Sequence, residues 1–154
     1  MENQGTTETK EVSSSNEPIY TRFAKERDEW SQRIQDMSER LRDIYKLSDL
    51  LTDLYSYRQI ALEYTHTLMS HLSKLNATYR VKKVERFDYY SRGYDLRLDK
   101  DPKNDHINAD LNLLVERREL LQNHLDYFRS TVGTIDSMCF GVKHRMALEE
   151  FRRG

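Results

Sequence analysis

The hydrophobic positions in the last third of the chain recur with a period near 3.5. Leu111, Leu114, Arg118, Leu121, Leu125, Phe128, Val132, Ile135, Cys139, Val142 and Met146 stand at gaps that alternate three and four, and ten of these eleven positions are apolar. A repeat held that long belongs to helices that wind along other helices. A helix from 111 to 146 is about 54 Å long, more than one short element can cover. The pattern therefore predicts a C-terminal helical region over 107–154 that assembles with other copies of the chain through Leu121, Leu125, Phe128, Val132, Ile135, Val142, Met146 and Phe151. A bundle with the chain's own earlier helices would cover the same stripe and stands as the alternative. Gly133 and Gly141 each cost about 1 kcal/mol relative to Ala inside a helix, so Phe140-Gly141 is a place where one helix can end and another begin.

Upstream the same reading gives two more helices. After Pro18, which suits a first helical turn, Trp30, Ile34, Met37, Leu41 and Ile44 form one apolar stripe. The phase is lost at Leu47-Ser48-Asp49, where Ser48 is a candidate cap. It resumes through Leu47, Leu51, Leu54, Ala61, Leu68, Leu72, Leu75 and Tyr79. Region 18–94 is thus helical, and the helix is expected to run on beyond Tyr79, although Tyr79 to Val84 also alternates weakly as a strand would. Gly93 and the run Asp99 to Asp105 predict a loop over 95–106, with Asp105 or Asn108 capping the next helix. Beyond Met1, residues 1–17 have one hydrophobic side chain, Val12, and are predicted to be a disordered tail.

Composition fits an all-α chain of long amphipathic helices: 33% of its 154 residues are charged and 37% hydrophobic, with five Gly and two Pro. One domain is expected at this length. No apolar run approaches the eighteen or so residues of a membrane span, and the N-terminus lacks the basic and apolar regions of an export signal, so a cytoplasmic protein is expected. A single cysteine, Cys139, cannot form an internal disulfide, and Met138 and Phe140 beside it point to a packed thiol.

The formal net charge of −1 hides a local contrast. Tyr79 to Tyr94 carries Arg80, Lys82, Lys83, Arg86 and Arg92 against Glu85 and Asp88, interleaved with Tyr79, Phe87, Tyr89, Tyr90 and Tyr94. Aromatic faces beside cations are what sequence-tolerant binding of single-stranded nucleic acid uses. Arg80, Lys82, Lys83, Arg86 and Arg92 are the candidate phosphate contacts, and Tyr89 and Tyr90 the candidate stacking platforms. Because the two tyrosines are adjacent, at most one reaches a base while the other packs inward. Rings in a core beneath a solvated charged face would give the same composition.

Catalytic motifs are missing. There is no phosphate-binding glycine loop, nucleophile elbow or HExxH, and His66, His71, His106, His124 and His144 fall at no spacing that gathers metal ligands on one helical face. Asp99, Asp101 and Asp105 lack the glycine and glutamate of a calcium loop, whose positions hold Asn104 and Asp110. Glu149 and Glu150 diverge on a helix and make no acid/base pair. A non-enzyme is expected, with no cofactor and no metal.

Two separated motifs, Arg86-Phe-Asp-Tyr-Tyr-Ser-Arg-Gly93 and Phe140-Gly-Val-Lys-His144 with Phe151 following, resemble the UvsY family of phage recombination mediators over residues 79–154. The resemblance implies an α-helical protein that forms a ring-like homo-oligomer through its C-terminal part and binds single-stranded DNA. It also implies a role in helping a RecA-like recombinase nucleate where single-strand-binding protein already sits, during recombination, repair and replication in the host cytoplasm. Arg86 matches the basic residue before Asp-Tyr-Tyr that the family uses for DNA. Val84 stands where a lysine is expected, and Tyr-Tyr-Ser-Arg-Gly is one glycine shorter than the family's turn. The competing class is a non-enzymatic coiled-coil adaptor whose basic patch meets an acidic protein.

Overall fold

The computed structural model describes residues 15–94 and 96–154, all of them helix, turn or irregular chain. Four α-helices follow in order: α1 Glu17–Arg40, α2 Leu47–Asp88, α3 Lys100–Asp110 and α4 Asn112–Arg153. A 3₁₀ turn, Ile44–Lys46, leads into α2, and a π turn, Tyr89–Gly93, ends it. The all-α class read from the periodicity holds. Helices α2 and α4, each of 42 residues, lie antiparallel, with Tyr64 against Phe128 and Arg58 paired to Asp136.

The C-terminal seam is closed inside the chain. Leu121, Leu125, Phe128, Ile135, Cys139 and Val142 are buried in one core with Phe23, Trp30 and Met37 of α1 and Leu47, Leu50, Leu54, Ala61 and Leu68 of α2. Val132 and Met146 pack at its edge, and Phe151 is 84% exposed. Of the eight residues expected to meet other copies, only Phe151 is therefore exposed. The alternative, a bundle of the chain's own helices, is what covers the stripe. The physical reason is length: α2 is as long as α4, so one helix of the same chain covers what a short element could not. Phe128 sits at the centre, meeting Trp30, Tyr64, His124 and Tyr127 edge-on at centroid distances of 4.7 to 5.5 Å.

The boundaries differ from expectation in four places. Helix α4 runs unbroken through Phe140 and Gly141, where packing outweighs the glycine's poor propensity. Ser48 lies inside α2 and caps nothing, because the preceding 3₁₀ turn, whose Asp43 side chain accepts from the Tyr45 N–H, already delivers the chain in helical conformation. Of the predicted 95–106 loop, residues 96–99 are irregular chain. From Lys100 it is α3, so Asp105 and Asn108 lie within a helix held by the buried Ile107. The predicted tail, residues 1–17, falls outside the described residues up to 14, but Asn16 is buried: its side chain donates to the Leu113 carbonyl at 2.9 Å and accepts from Arg117 Nε at 2.9 Å.

One polar cluster ties the three long elements together. His124, wholly buried, stacks on Phe23 at 3.9 Å, and its Nε2 lies 2.7 Å from a Glu26 carboxylate oxygen. Tyr64 donates to the same carboxylate, and Arg27 donates to His124 Nδ1 at 3.3 Å. With Nδ1 accepting, the ring is neutral and carries its proton on Nε2. Burial lowers its pKa, the Glu26 partner opposing that only in part, and burial with the Glu26 hydrogen bond raises the Tyr64 phenol far above its ordinary value.

Candidate nucleic-acid interface

Past Tyr79, α2 outruns the start of α4. From Arg80 to Tyr89 every residue is exposed, so all sides of the helix face solvent except where α3 folds back against it. The stretch is helical rather than extended up to Asp88, and the five residues Tyr89–Gly93 then widen into a π turn, a geometry frequent at functional sites. The run Tyr-Tyr-Ser-Arg-Gly is this π turn.

Helix α3 organises the tip from one side. Asp110 accepts from the Tyr90 hydroxyl at 2.8 Å and lies 3.8 Å from Arg86 Nε. His106 stacks on the Tyr90 ring at 5.3 Å and 24°, while Lys103 sits 5.1 Å above Phe87 and donates to Ser91 at 3.2 Å. The bond to Asp110 stabilises the protonated phenol and raises the Tyr90 pKa. Tyr89, Tyr90 and Tyr94 form one edge-to-face group with centroids 5.0 to 5.9 Å apart. Of the adjacent pair, Tyr90 is the one packed inward and Tyr89, 45% exposed, is the ring turned to solvent.

The predicted cations are divided. Lys82 pairs with Glu85 at 3.4 Å, Lys83 lies 5.8 Å over the Tyr79 ring, and Arg86 shares Asp110 with Tyr90. Among the described residues Arg80 and Arg92 make no ion pair. All these pairs are exposed and worth little, so an incoming phosphate competes with them easily. Lys82, Lys83 and Arg86 share the side of the helix that carries Tyr79, whereas Val81 and Val84, 57% and 62% exposed, face away from them.

Sequence reasoning missed Lys103, His106, Asp110 and Arg118, the last placed 4.6 Å over the Tyr79 ring. The available signal was Ile107 and Leu111, four apart, with Lys103 and Asp110 flanking them at helical spacing. Beside the tip, a polar hollow of about 660 Å³ is lined by Tyr90, Ser91, Tyr94, Arg97, Lys100 and Lys103 among others.

Among the described residues no three His, Cys, Asp or Glu side chains gather as metal ligands would, and no helix is long and apolar enough to cross a membrane. Cys139 is buried, and burial pushes its thiol pKa up, which keeps it protonated. Comparison with family models, with curated proteins and with solved structures gives no match to this chain.

Proposed function

We propose that this protein is a non-enzymatic, single-stranded-DNA-binding recombination mediator. On this reading it helps a RecA-like recombinase load onto strands already covered by single-strand-binding protein, in phage recombination, repair and replication in the cytoplasm of an infected bacterium. The observation that carries the reading is the solvent-surrounded end of α2. Five cations between Arg80 and Arg92 and the rings of Tyr89, Tyr90 and Tyr94 stand there, and among the described residues α3 alone folds against them, from one side. Phosphates are met by Lys82, Lys83 and Arg86 on one side, by Arg80, and by Arg92 in the π turn. Tyr89 offers the stacking face. The likeness of its two motifs to the mediator family supplies the recombination context.

Self-association belongs to the same reading, on a surface other than the seam. Phe140, His144, Leu148 and Phe151 follow at i, i+4, i+8 and i+11 along the side of α4 turned away from the core, with Phe140 74% and Phe151 84% exposed. A second copy of the same helix would cover it.

The test is an anisotropy titration of labelled oligo(dT) and of a duplex over a salt series. Tighter binding to the single strand, with log affinity falling by roughly 0.7 per phosphate contact per decade of salt, supports the reading. Equal, weak binding to both overturns it. The exposed Val81 and Val84 favour a second reading, a coiled-coil adaptor for an acidic protein, since a phosphate backbone has no use for them. Self-assembly without any DNA binding at low salt would select the adaptor.

A further inference from the structure

Below the tip, α2 and α4 leave a groove between them on the side turned away from α1. On α2, Met69, Ser73, Asn76 and Arg80 stand at i, i+4, i+7 and i+11; on α4, Arg118, Gln122, Leu125 and Arg129 repeat that spacing. Each set shares one helical face. Because the helices are antiparallel, Arg80 and Arg118 lie at the tip end and Arg129 at the far end. The hollow between them measures about 300 Å³, is lined by these residues except Arg118, which lies over the Tyr79 ring at its tip end, has Leu72 and Leu125 at its floor, and includes no carboxylate among its lining residues. The other side of α4 is occupied by α1: Phe23 stacks on His124, Ser31 bonds Tyr127 at 2.9 Å, and Asn16 bonds Leu113. Among the described residues the groove side has no such cover.

We propose that this groove is a second contact for the phosphate backbone, so that a single strand stacked on the tip continues between α2 and α4 past Arg80, Arg118 and Arg129. The inference rests on the single-stranded-DNA reading and extends it from a patch to a path. From Arg80 to Met69 the groove covers three helical turns, about 16 Å. Asn76 and Ser73 lie between the two cationic ends as neutral hydrogen-bonding groups. At the far end the chain supplies its own competitor: Asp126, just outside the hollow, accepts from Gln122 Nε2 at 3.0 Å and lies 3.7 Å from Arg129. That pair is 52% and 59% exposed, so holding it is worth little, and a phosphate with more acceptor oxygens draws Arg129 and Gln122 from it.

The experiment uses the full chain and two labelled oligo(dT) probes. One, of about five nucleotides, reaches only the tip; the other, of about twenty-five, fills tip and groove. Arg129→Gln is expected to weaken the long probe several-fold and to flatten its salt slope by about 0.7, leaving the short probe unchanged. Asp126→Asn is expected to tighten the long probe. The controls are Arg152→Gln and Glu149→Gln, taken from an exposed pair of the same i, i+3 kind at 3.4 Å far from the groove. They change net charge equally and should move neither probe. Urea unfolding of each variant confirms that the fold is kept. If Arg129→Gln matches Arg152→Gln on the long probe while wild type binds both probes, the groove is not on the path and the tip reading stands. If wild type binds neither probe, the DNA reading and the groove fall together. Displacement of the long probe by polyglutamate as effective as that by unlabelled oligo(dT) would reassign the groove to an acidic protein.

Discussion

Replacing Phe128 by alanine tests whether the seam of α4 belongs to the chain's own core. The ring is wholly buried and is flanked by Trp30 at 5.5 Å, Tyr64 at 4.7 Å, His124 at 5.0 Å and Tyr127 at 5.4 Å, all edge-on. Truncating a buried phenylalanine costs about 3–5 kcal/mol through lost burial and the cavity left behind. Four ring contacts, each worth about 0.5–1.5 kcal/mol beyond burial, put this site at the upper end of that range. With a urea slope of about 2 kcal/mol per molar, the unfolding midpoint should fall by about 2 M. Since every partner named lies in the same chain, the shift should be the same at low and high protein concentration, whereas a ring packed between copies would give a shift that grows on dilution. Phe151→Ala, at a position 84% exposed, serves as the contrast and should change the monomer's stability by about 0.5 kcal/mol or less. A Phe128→Ala midpoint within error of wild type, or a shift from wild type that grows on dilution, would refute the intrachain core.

Two further outcomes follow from the same packing. The His124 pKa is lowered by burial, so between the folded value and the ordinary imidazole value near 6.5 the unfolded chain binds a proton that the folded chain refuses. Its contribution is complete above about pH 6.5 and is lost as pH falls below it, so urea stability measured at about pH 7.5 and about pH 5 should drop more in wild type than in His124→Gln. Gly133 is exposed within α4 and a Cβ there meets nothing within 4 Å, so Gly133→Ala should raise stability by about 1 kcal/mol, read from the urea midpoint.

What the sequence made legible follows from what periodicity encodes. The alternation of three and four from Leu111 to Met146 identifies the buried face of α4 well: Leu121, Leu125, Phe128, Ile135, Cys139 and Val142 are all in the core. Periodicity does not say whose side chains lie opposite, and the partner turned out to be α2 with α1. Leu50, wholly buried, escapes because it lies one residue off the Leu47–Leu51–Leu54 stripe, and Phe23 because it precedes Trp30, the first residue of the α1 stripe. Helix α3 was hidden by its Asp, Lys, Asn and Pro content, which reads as a turn. Its cohesion comes from tertiary contacts, Ile107 to the core side and Lys103, His106 and Asp110 to the end of α2. The same contacts explain why the tip was only half readable: the basic and aromatic residues are local in sequence, but Asp110, which orders both Arg86 and Tyr90, is more than twenty residues from the first and twenty from the second.

The central claim is that the end of α2 binds single-stranded DNA, and the direct measurement is the salt dependence of oligo(dT) affinity for the Lys82→Ala, Lys83→Ala, Arg86→Ala triple variant beside Tyr89→Ala. Lys82, Lys83 and Arg86 are exposed and weakly paired, so the triple variant should fold as wild type does. Its slope of log affinity against log salt should flatten by about 2, three contacts at roughly 0.7 each. Tyr89→Ala should instead weaken binding by about 1–3 kcal/mol with the slope kept. A triple variant with unchanged affinity and unchanged slope would contradict the account.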